Sequence, residues 1–309
     1  MARATAEPQT TAFRPAPAAT AGTGRLRREH ITARLSSLPV HVAVLLLVIA
    51  WSIPTLALLI NSFRSPAEIL TTGWWRGLAP PFHFTVTNYQ HVLDTSNLGQ
   101  SFLNSLMITI PATVIPITIG AFAAYAFSWM RFRGRLFFFA VLIGLLAVPL
   151  QPTLVPVLKV YNTLGLTGTF IGIWLAHTGY GLPLVIYTLR NFFGSLPSEL
   201  FESAQIDGAS PVTTFFRLVL PLSVPALASM AIFQFLWVWN DLLVALVYLG
   251  GAPEVAPMTV AVANLQNSLG GQRYLLTAGA FLTMILPLLV FFSLQRYFVR
   301  GLLAGSVKG

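Results

Sequence analysis

The chain has 309 residues, of which 55% are hydrophobic and only 9% charged. A soluble domain draws about a quarter of its residues from Asp, Glu, Lys and Arg, so an ordinary soluble enzyme is excluded and an integral membrane protein is the direct reading. There is no cysteine, which excludes disulfides, thiolate metal sites and cysteine nucleophiles. The net charge of +9 is spread between apolar stretches, a pattern of membrane topology rather than of nucleic-acid binding.

Residues 1–38 are rich in Ala, Thr, Pro and Arg without apolar periodicity and read as a disordered basic tail. A solvated tail outweighs one that binds anionic lipid. Six stretches then reach the roughly 20 apolar residues that cross a bilayer, at about 40–61, 102–129, 136–158, 168–190, 222–248 and 276–295. The first, within 39–62, lacks a small-residue cleavage site and reads as an uncleaved anchor. The outer loop 63–100 carries Trp74, Trp75 and Tyr89, aromatic marks of a lipid interface. A second outer loop, about 249–275, is rich in Gly, Pro and Asn, and residues 297–309 form a C-terminal tail. Fourteen of the 18 basic residues fall on the side of the two termini and of the 2–3 and 4–5 connections. The positive-inside rule therefore predicts an all-α, six-span cell-membrane protein with both termini in the cytoplasm.

Only nine residues are acidic, yet Glu199, Glu202 and Asp207 crowd the 4–5 connection, 191–221. Ser195 or Ser198 suits a helix cap, Pro197 a first turn, and the two glutamates favour the positive end of a helix. Gly208 suits the left-handed residue that ends it, and Ser210-Pro211 reads as the cap and first turn of a second helix. The spacing thus predicts a helix–turn–helix elbow, with Leu200, Ser203, Ala204, Asp207 and Gly208 along one face. A solvated loop kept soluble by its acids is the plainer alternative, but it leaves two successive helix boundaries unexplained.

This loop resembles the signature of binding-protein-dependent ABC importer permeases: Glu-Ala-Ala, three residues, Gly, nine residues, Ile, one residue, Leu-Pro. Here it reads Glu202-Ser203-Ala204, Gly208, Leu218, Leu220 and Pro221, with every interval kept and two conservative departures at Ser203 and Leu218. The ending QRYFVRGLLAGSVKG and the triplet Trp239-Asn240-Asp241 are similar to those of the carbohydrate, maltose-type (MalG-like) subfamily. The resemblance covers about 60–309 and implies a type-1 permease domain over 101–296. It implies that the elbow, from Glu199 to Ala209 together with Leu218, Leu220 and Pro221, couples to two cytoplasmic ATPase subunits that bind ATP. The tail, with Arg300, Gly305 and Lys308, is implied to touch the same ATPases. A second homologous permease, an extracellular solute-binding protein and a sugar substrate complete the set. The chain holds no G-x-x-x-x-G-K-[ST] phosphate loop and no cofactor is expected in it.

Polar groups within hydrocarbon are costly and mark candidate solute contacts. Gln151, His177 and Gln234 fall near mid-span, and Gln234, Trp237 and Asp241 share a helical face with Asn240 adjacent. An aromatic plate beside amides and a carboxylate suits a sugar. Helix-to-helix hydrogen bonding is the alternative for Gln and His, and the Gly120-to-Ala124 spacing reads as ordinary packing. A stand-alone secondary transporter using Asp241 as a proton site is the competing function; it leaves the elbow without a purpose. An intramembrane hydrolase would need a catalytic partner for His177, and the sequence offers none.

Overall fold

Prolines accompany two of the breaks in the apolar stretches, while others sit inside continuous helices. The structure, a computed structural model, describes residues 23–95, 97–268 and 273–304, with side chains from 38 to 94, 97 to 265 and 274 to 296. Its elements are helical, and an isolated antiparallel bridge joins Arg64 to Phe84. Helix α1 (Thr23–Ser62) begins inside the predicted tail. The reason is local: TGRLRREHITARL carries four Arg and two Leu, good helix formers, whereas Pro8, Pro15 and Pro17 all precede it. From Leu38 to Leu56 almost every side chain of α1 is exposed, as a lipid-facing segment requires.

The chain from Ala57 onward forms a second unit. Its first part, expected as loop, folds into α2 (Pro66–Thr71), a 3-10 turn at Trp74–Leu78 and α3 (Thr87–Thr95). Helix α4 (Leu98–Trp129) is continuous through Pro111 and Pro116. The predicted third span, 136–158, is instead two helices, α5 (Arg135–Leu146) and α6 (Leu150–Leu164), meeting at 104°. Pro149 causes the break, because its ring bars Val148 from helical backbone and it supplies no N–H. Helix α7 (Phe170–Phe193) starts at Thr169, whose Oγ1 accepts the Gly172 N–H at 3.0 Å.

Then follow α8 (Ser198–Ile206), α9 (Pro211–Thr214), a π-helical turn at Phe215–Val219, α10 (Leu220–Leu222) and α11 (Val224–Trp239). The segment ending at α10 meets α11 at 75° at Ser223, between Pro221 and Pro225. The predicted span 222–248 is corrected too, since α11 stops at Trp239 and α12 (Leu243–Leu249) begins anew. The second predicted loop contains α13 (Met258–Ser268), and α14 (Arg273–Ala304) runs into the predicted C-terminal tail. Among the described residues, four helices are long and apolar enough to cross a bilayer alone, and six spans result if each bent pair counts as one.

Small residues and polar contacts join the helices of this unit, as expected where lipid removes the hydrophobic drive. A Cβ on Gly120 would lie 2.5 Å from Val185 Cγ1, so the α4–α7 approach depends on glycine there. Asn104 Nδ2 donates to the Glu254 and Ala256 carbonyls, Trp174 Nε1 to the Met107 carbonyl, and Trp239 Nε1 to the Thr283 carbonyl. One buried cluster joins α4, α6, α7 and α12 around Ile173 and Tyr248. A second joins the ends of α4 and α7 to the elbow, and a third joins α3, α13 and α14.

Candidate functional site

The elbow is built as its residues dictate at its turn. Helix α8 closes with the Ala209 N–H on the Ala204 carbonyl (2.9 Å) and the Gly208 N–H on the Gln205 carbonyl (3.0 Å). This paired closure needs left-handed backbone between its two donors, and Gly208 supplies it with φ +75°. Ser210 Oγ then accepts the Thr213 N–H at 3.1 Å, and Pro211 opens α9. The start of α8 differs from expectation. Pro197 is the boundary residue, and neither Ser195 nor Ser198 caps it; Ser195 Oγ donates back to the Phe192 carbonyl.

The face that α8 buries is centred on Phe201, beside the small-residue face expected to meet a partner. Phe201, the lone aromatic of SELFESAQI, is 5% exposed and stacks on Trp129 at the end of α4, ring centroids 3.6 Å apart. Trp129 is held in turn by its Nε1–H on the Phe193 carbonyl at 2.9 Å, at the end of α7. Ala204 is half-buried, Leu218 and Leu220 pack on the same cluster, and Pro221 is exposed. Glu199, Glu202, Ser203, Asp207 and Gly208 all face outward, and so does Ile206, 86% exposed. Burying one such ring contributes about 1.5–3 kcal/mol, and the stacked pair about 0.5–1.5 kcal/mol more. The elbow is therefore tied through Phe201 to the ends of two long helices, with its acids and Ile206 turned outward. Sequence reasoning missed Phe201; the signal available was a single aromatic amid small and charged neighbours.

Below it, the π-helical turn precedes Pro221. Proline clashes with the carbonyl four residues back and lacks an N–H, and the widened turn absorbs this, with the Leu220 N–H reaching the Phe215 carbonyl.

The candidate solute residues do not form one lining. Gln234, 2% exposed, donates Nε2–H to the Ala112 carbonyl at 3.2 Å and fills the space that Gly181 leaves, so it ties α11 to α4 and α7. Gln151 is exposed on the first turn of α6, and Asn240 is exposed, returning Nδ2–H to the Leu236 carbonyl. Because α11 ends at Trp239, Asp241 leaves the face it was expected to share with Gln234 and Trp237. Its carboxylate caps α12 instead, accepting from the Val244 N–H (3.2 Å) and the Ala245 N–H (3.0 Å). What the structure does bring together is His177, Trp237 and Asp241. His177 Nε2 lies 3.8 Å from Asp241 Oδ2, and Trp237 stands edge-on to the imidazole at 5.4 Å. Nearby on α7, Tyr180 joins Thr153 and Tyr248 through a chain of hydroxyls at 3.1 and 2.7 Å, a set that no motif or spacing singles out. Of the tail residues, Arg300 lies on α14 with its side chain outside the described set, and Gly305 and Lys308 lie outside the described residues.

Residues 116–303 match the family of binding-protein-dependent transport system inner membrane components. The osmoprotective compounds uptake permease protein GgtD of Synechocystis is 59% identical over 88% of this chain and 92% of its own length. The alpha-glucoside transport system permease protein AglG of Rhizobium meliloti is 42% identical over 87% of this chain and 97% of its own. Among solved structures, a chain of a bacterial ABC transporter involved in import of the acidic polysaccharide alginate superposes with TM-score 0.73 at 23% identity, covering 86% of this chain and 98% of that one. With a helical body of several long apolar helices, an outward-facing elbow and relatives matched over most of their length, the chain belongs to the inner membrane components of binding-protein-dependent transport systems.

Proposed function

We propose that this permease subunit imports a small carbohydrate, of the α-glucoside or osmoprotectant kind, driven by ATP that separate subunits bind. The solute class rests on what the similar permeases of Synechocystis and Rhizobium meliloti are named for. The single observation that carries the coupling is the elbow, whose acids and small residues face outward while Phe201 locks it to Trp129. A pair of cytoplasmic ATPase subunits grips Glu199, Glu202, Ser203, Ala204, Asp207, Gly208 and Ala209. Movement of the gripped plate is passed to the ends of α4 and α7 through Phe201, and the body rocks between two open states about its bends. A second homologous permease completes the pathway, and an extracellular solute-binding protein delivers the sugar; a solved alginate transporter was captured with such a periplasmic protein. The elbow and both termini face the cytoplasm on this reading.

Asp241 offers little to the competing proton-coupled reading, because both its carboxylate oxygens are engaged at the start of α12. The experiment is uptake in sealed vesicles with a tagged chain. A P-loop ATPase should co-purify, and uptake should stop when ATP is removed while the proton gradient is held. Uptake that persists on the gradient alone overturns the proposal.

A further inference from the structure

We infer that the segment following the first span holds the phosphate headgroup of an anionic phospholipid. A cavity of about 210 Å³ opens there, lined by Arg64, Glu68, Thr72, Arg76, His83 and Phe84. It has room for about seven waters at ~30 Å³ each. Arg64 stands two residues past the end of α1 at Ser62, about 7 Å of chain at most from the end of the first candidate span.

The charge in the cavity is unbalanced. Arg64 is 2% exposed, yet its guanidinium donates only to neutral acceptors. Nη1 reaches Asn61 Oδ1 and the Gly73 carbonyl at 3.1 Å each, and Nη2 reaches the Glu68 carbonyl at 3.2 Å and Thr72 Oγ1. The one carboxylate in the lining, Glu68, is engaged by His83 Nδ1 at 3.0 Å. Arg76 is exposed and makes no side-chain hydrogen bond or ion pair among the described residues. All four Nη–H groups of Arg64 are engaged by those neutral acceptors, so Arg64 lends positive charge to the chamber, and the free planar fork that matches a phosphate is that of Arg76.

The rim names the source of that phosphate. Phe84 of the lining is exposed, and so are Trp75, Leu78 and Phe82 in the same segment of chain. Aromatic and apolar side chains around a basic chamber at the end of a span are what an acyl-linked headgroup meets; free phosphate or an acidic side chain of a protein has no use for such a rim. Gly77 keeps the chamber wall close, because a Cβ there would lie 2.6 Å from Ile60 Cγ2 and 3.1 Å from Arg64 Cδ.

The test is lipid titration of the assembled transporter by native mass spectrometry, with phosphatidylglycerol, phosphatidylcholine and inorganic phosphate in parallel. Arg76→Gln, an exposed change that spares Arg64, should weaken the tightest phosphatidylglycerol about five-fold, the equivalent of the ~1 kcal/mol one basic residue contributes near an anionic surface. Glu68→Gln should tighten it a few-fold, and phosphatidylcholine should respond to neither variant. Equal phosphatidylglycerol affinity in wild type and both variants overturns the proposal. Displacement of the lipid by millimolar inorganic phosphate overturns it in favour of a free-anion site. Loss of solute-binding-protein docking in Arg76→Gln with lipid binding unchanged overturns it in favour of a protein contact.

Discussion

The elbow at Gly208 and the break at Asn240 are both places where one helix stops and another starts, and each has an aspartate at its corner. At the elbow, Asp207 and its neighbours Glu199 and Glu202 point outward, and the backbone is closed by glycine and Ser210 alone. At the break the local chain lacks such turn chemistry, and the carboxylate of Asp241 is drawn inward to satisfy the first N–H groups of α12. Where backbone closes itself, carboxylates are left over for a partner; where it does not, the carboxylate is spent on structure. The same residue type thus reads as contact in one region and as scaffold in the other.

The largest effect should come from Gly208→Val. A Cβ at Gly208 meets nothing within 4 Å, so space is not the obstacle; φ +75° is, and a β-branched side chain is strained there. Membrane insertion should persist while uptake and solute-stimulated ATP hydrolysis fall together, by about ten-fold or more for the ~1–2 kcal/mol of strain multiplied by a misdirected plate. Asn, which tolerates left-handed backbone, should retain most activity. Normal uptake by the valine variant breaks the comparison, since the turn would then not shape a contact.

Phe201→Ala comes next and tests whether the plate is tied down from inside. Truncating a buried Phe costs about 3–5 kcal/mol. The cost falls on the joint with Trp129 rather than on the outward face, so the ATPase should still co-purify while sugar moved per ATP hydrolysed drops several-fold. Phe201→Leu should restore most of the ratio. Unchanged stoichiometry in the alanine variant would cut α4 out of the transmission path.

These two positions also show how far the sequence was readable. Gly208 and Ser210-Pro211 were legible because turn chemistry is local: a left-handed residue and a hydroxyl cap each announce themselves within four positions. Phe201 was not, because helical periodicity singled out only the small-residue face through Leu200 and Ala204 that suits a partner, and Trp129, against which Phe201 is buried, lies far back in the chain. Length and apolarity found the long helices but hid both breaks. Pro149 interrupts a stretch whose composition is uniformly greasy, and the new start of α12 after Trp239 uses hydrogen bonds that Asp241 accepts, which a hydropathy window averages away. The polar residues suffered most: equal depth placed Gln234 and His177 together, whereas Gln234 is sealed against Gly181 and His177 looks toward Asp241.

Asp241 sharpens the comparison with a smaller effect. Asp241→Ala removes two capping bonds, about 0.5–2 kcal/mol, and should lower the thermal midpoint of the purified complex by a few degrees. Asp241→Asn keeps an acceptor oxygen for the cap and should recover most of the midpoint and of the uptake. An asparagine variant that is stable yet inactive would move Asp241 from scaffold to solute or proton chemistry and undo the contrast with Asp207.

The smallest effect concerns a third acid, Glu68, which is neither left over for a partner nor spent on a helix end. The hydrogen bond from His83, at 3.0 Å, is the main cause holding its carboxyl below the ordinary 4.5. A carboxyl depressed in the folded state stabilises it fully above the unfolded value, and that contribution fades as the pH drops through the lower folded value. Wild type should therefore lose thermal midpoint relative to Glu68→Gln as the pH is taken from above 4.5 to well below it, with the two curves parallel above that window. The pair is solvent-exposed, so the divergence should be slight and should shrink further in high salt. Curves that diverge with the opposite sign would mean that Glu68 is stabilised as the neutral acid, and that the chamber it lines is more electronegative than its two arginines imply.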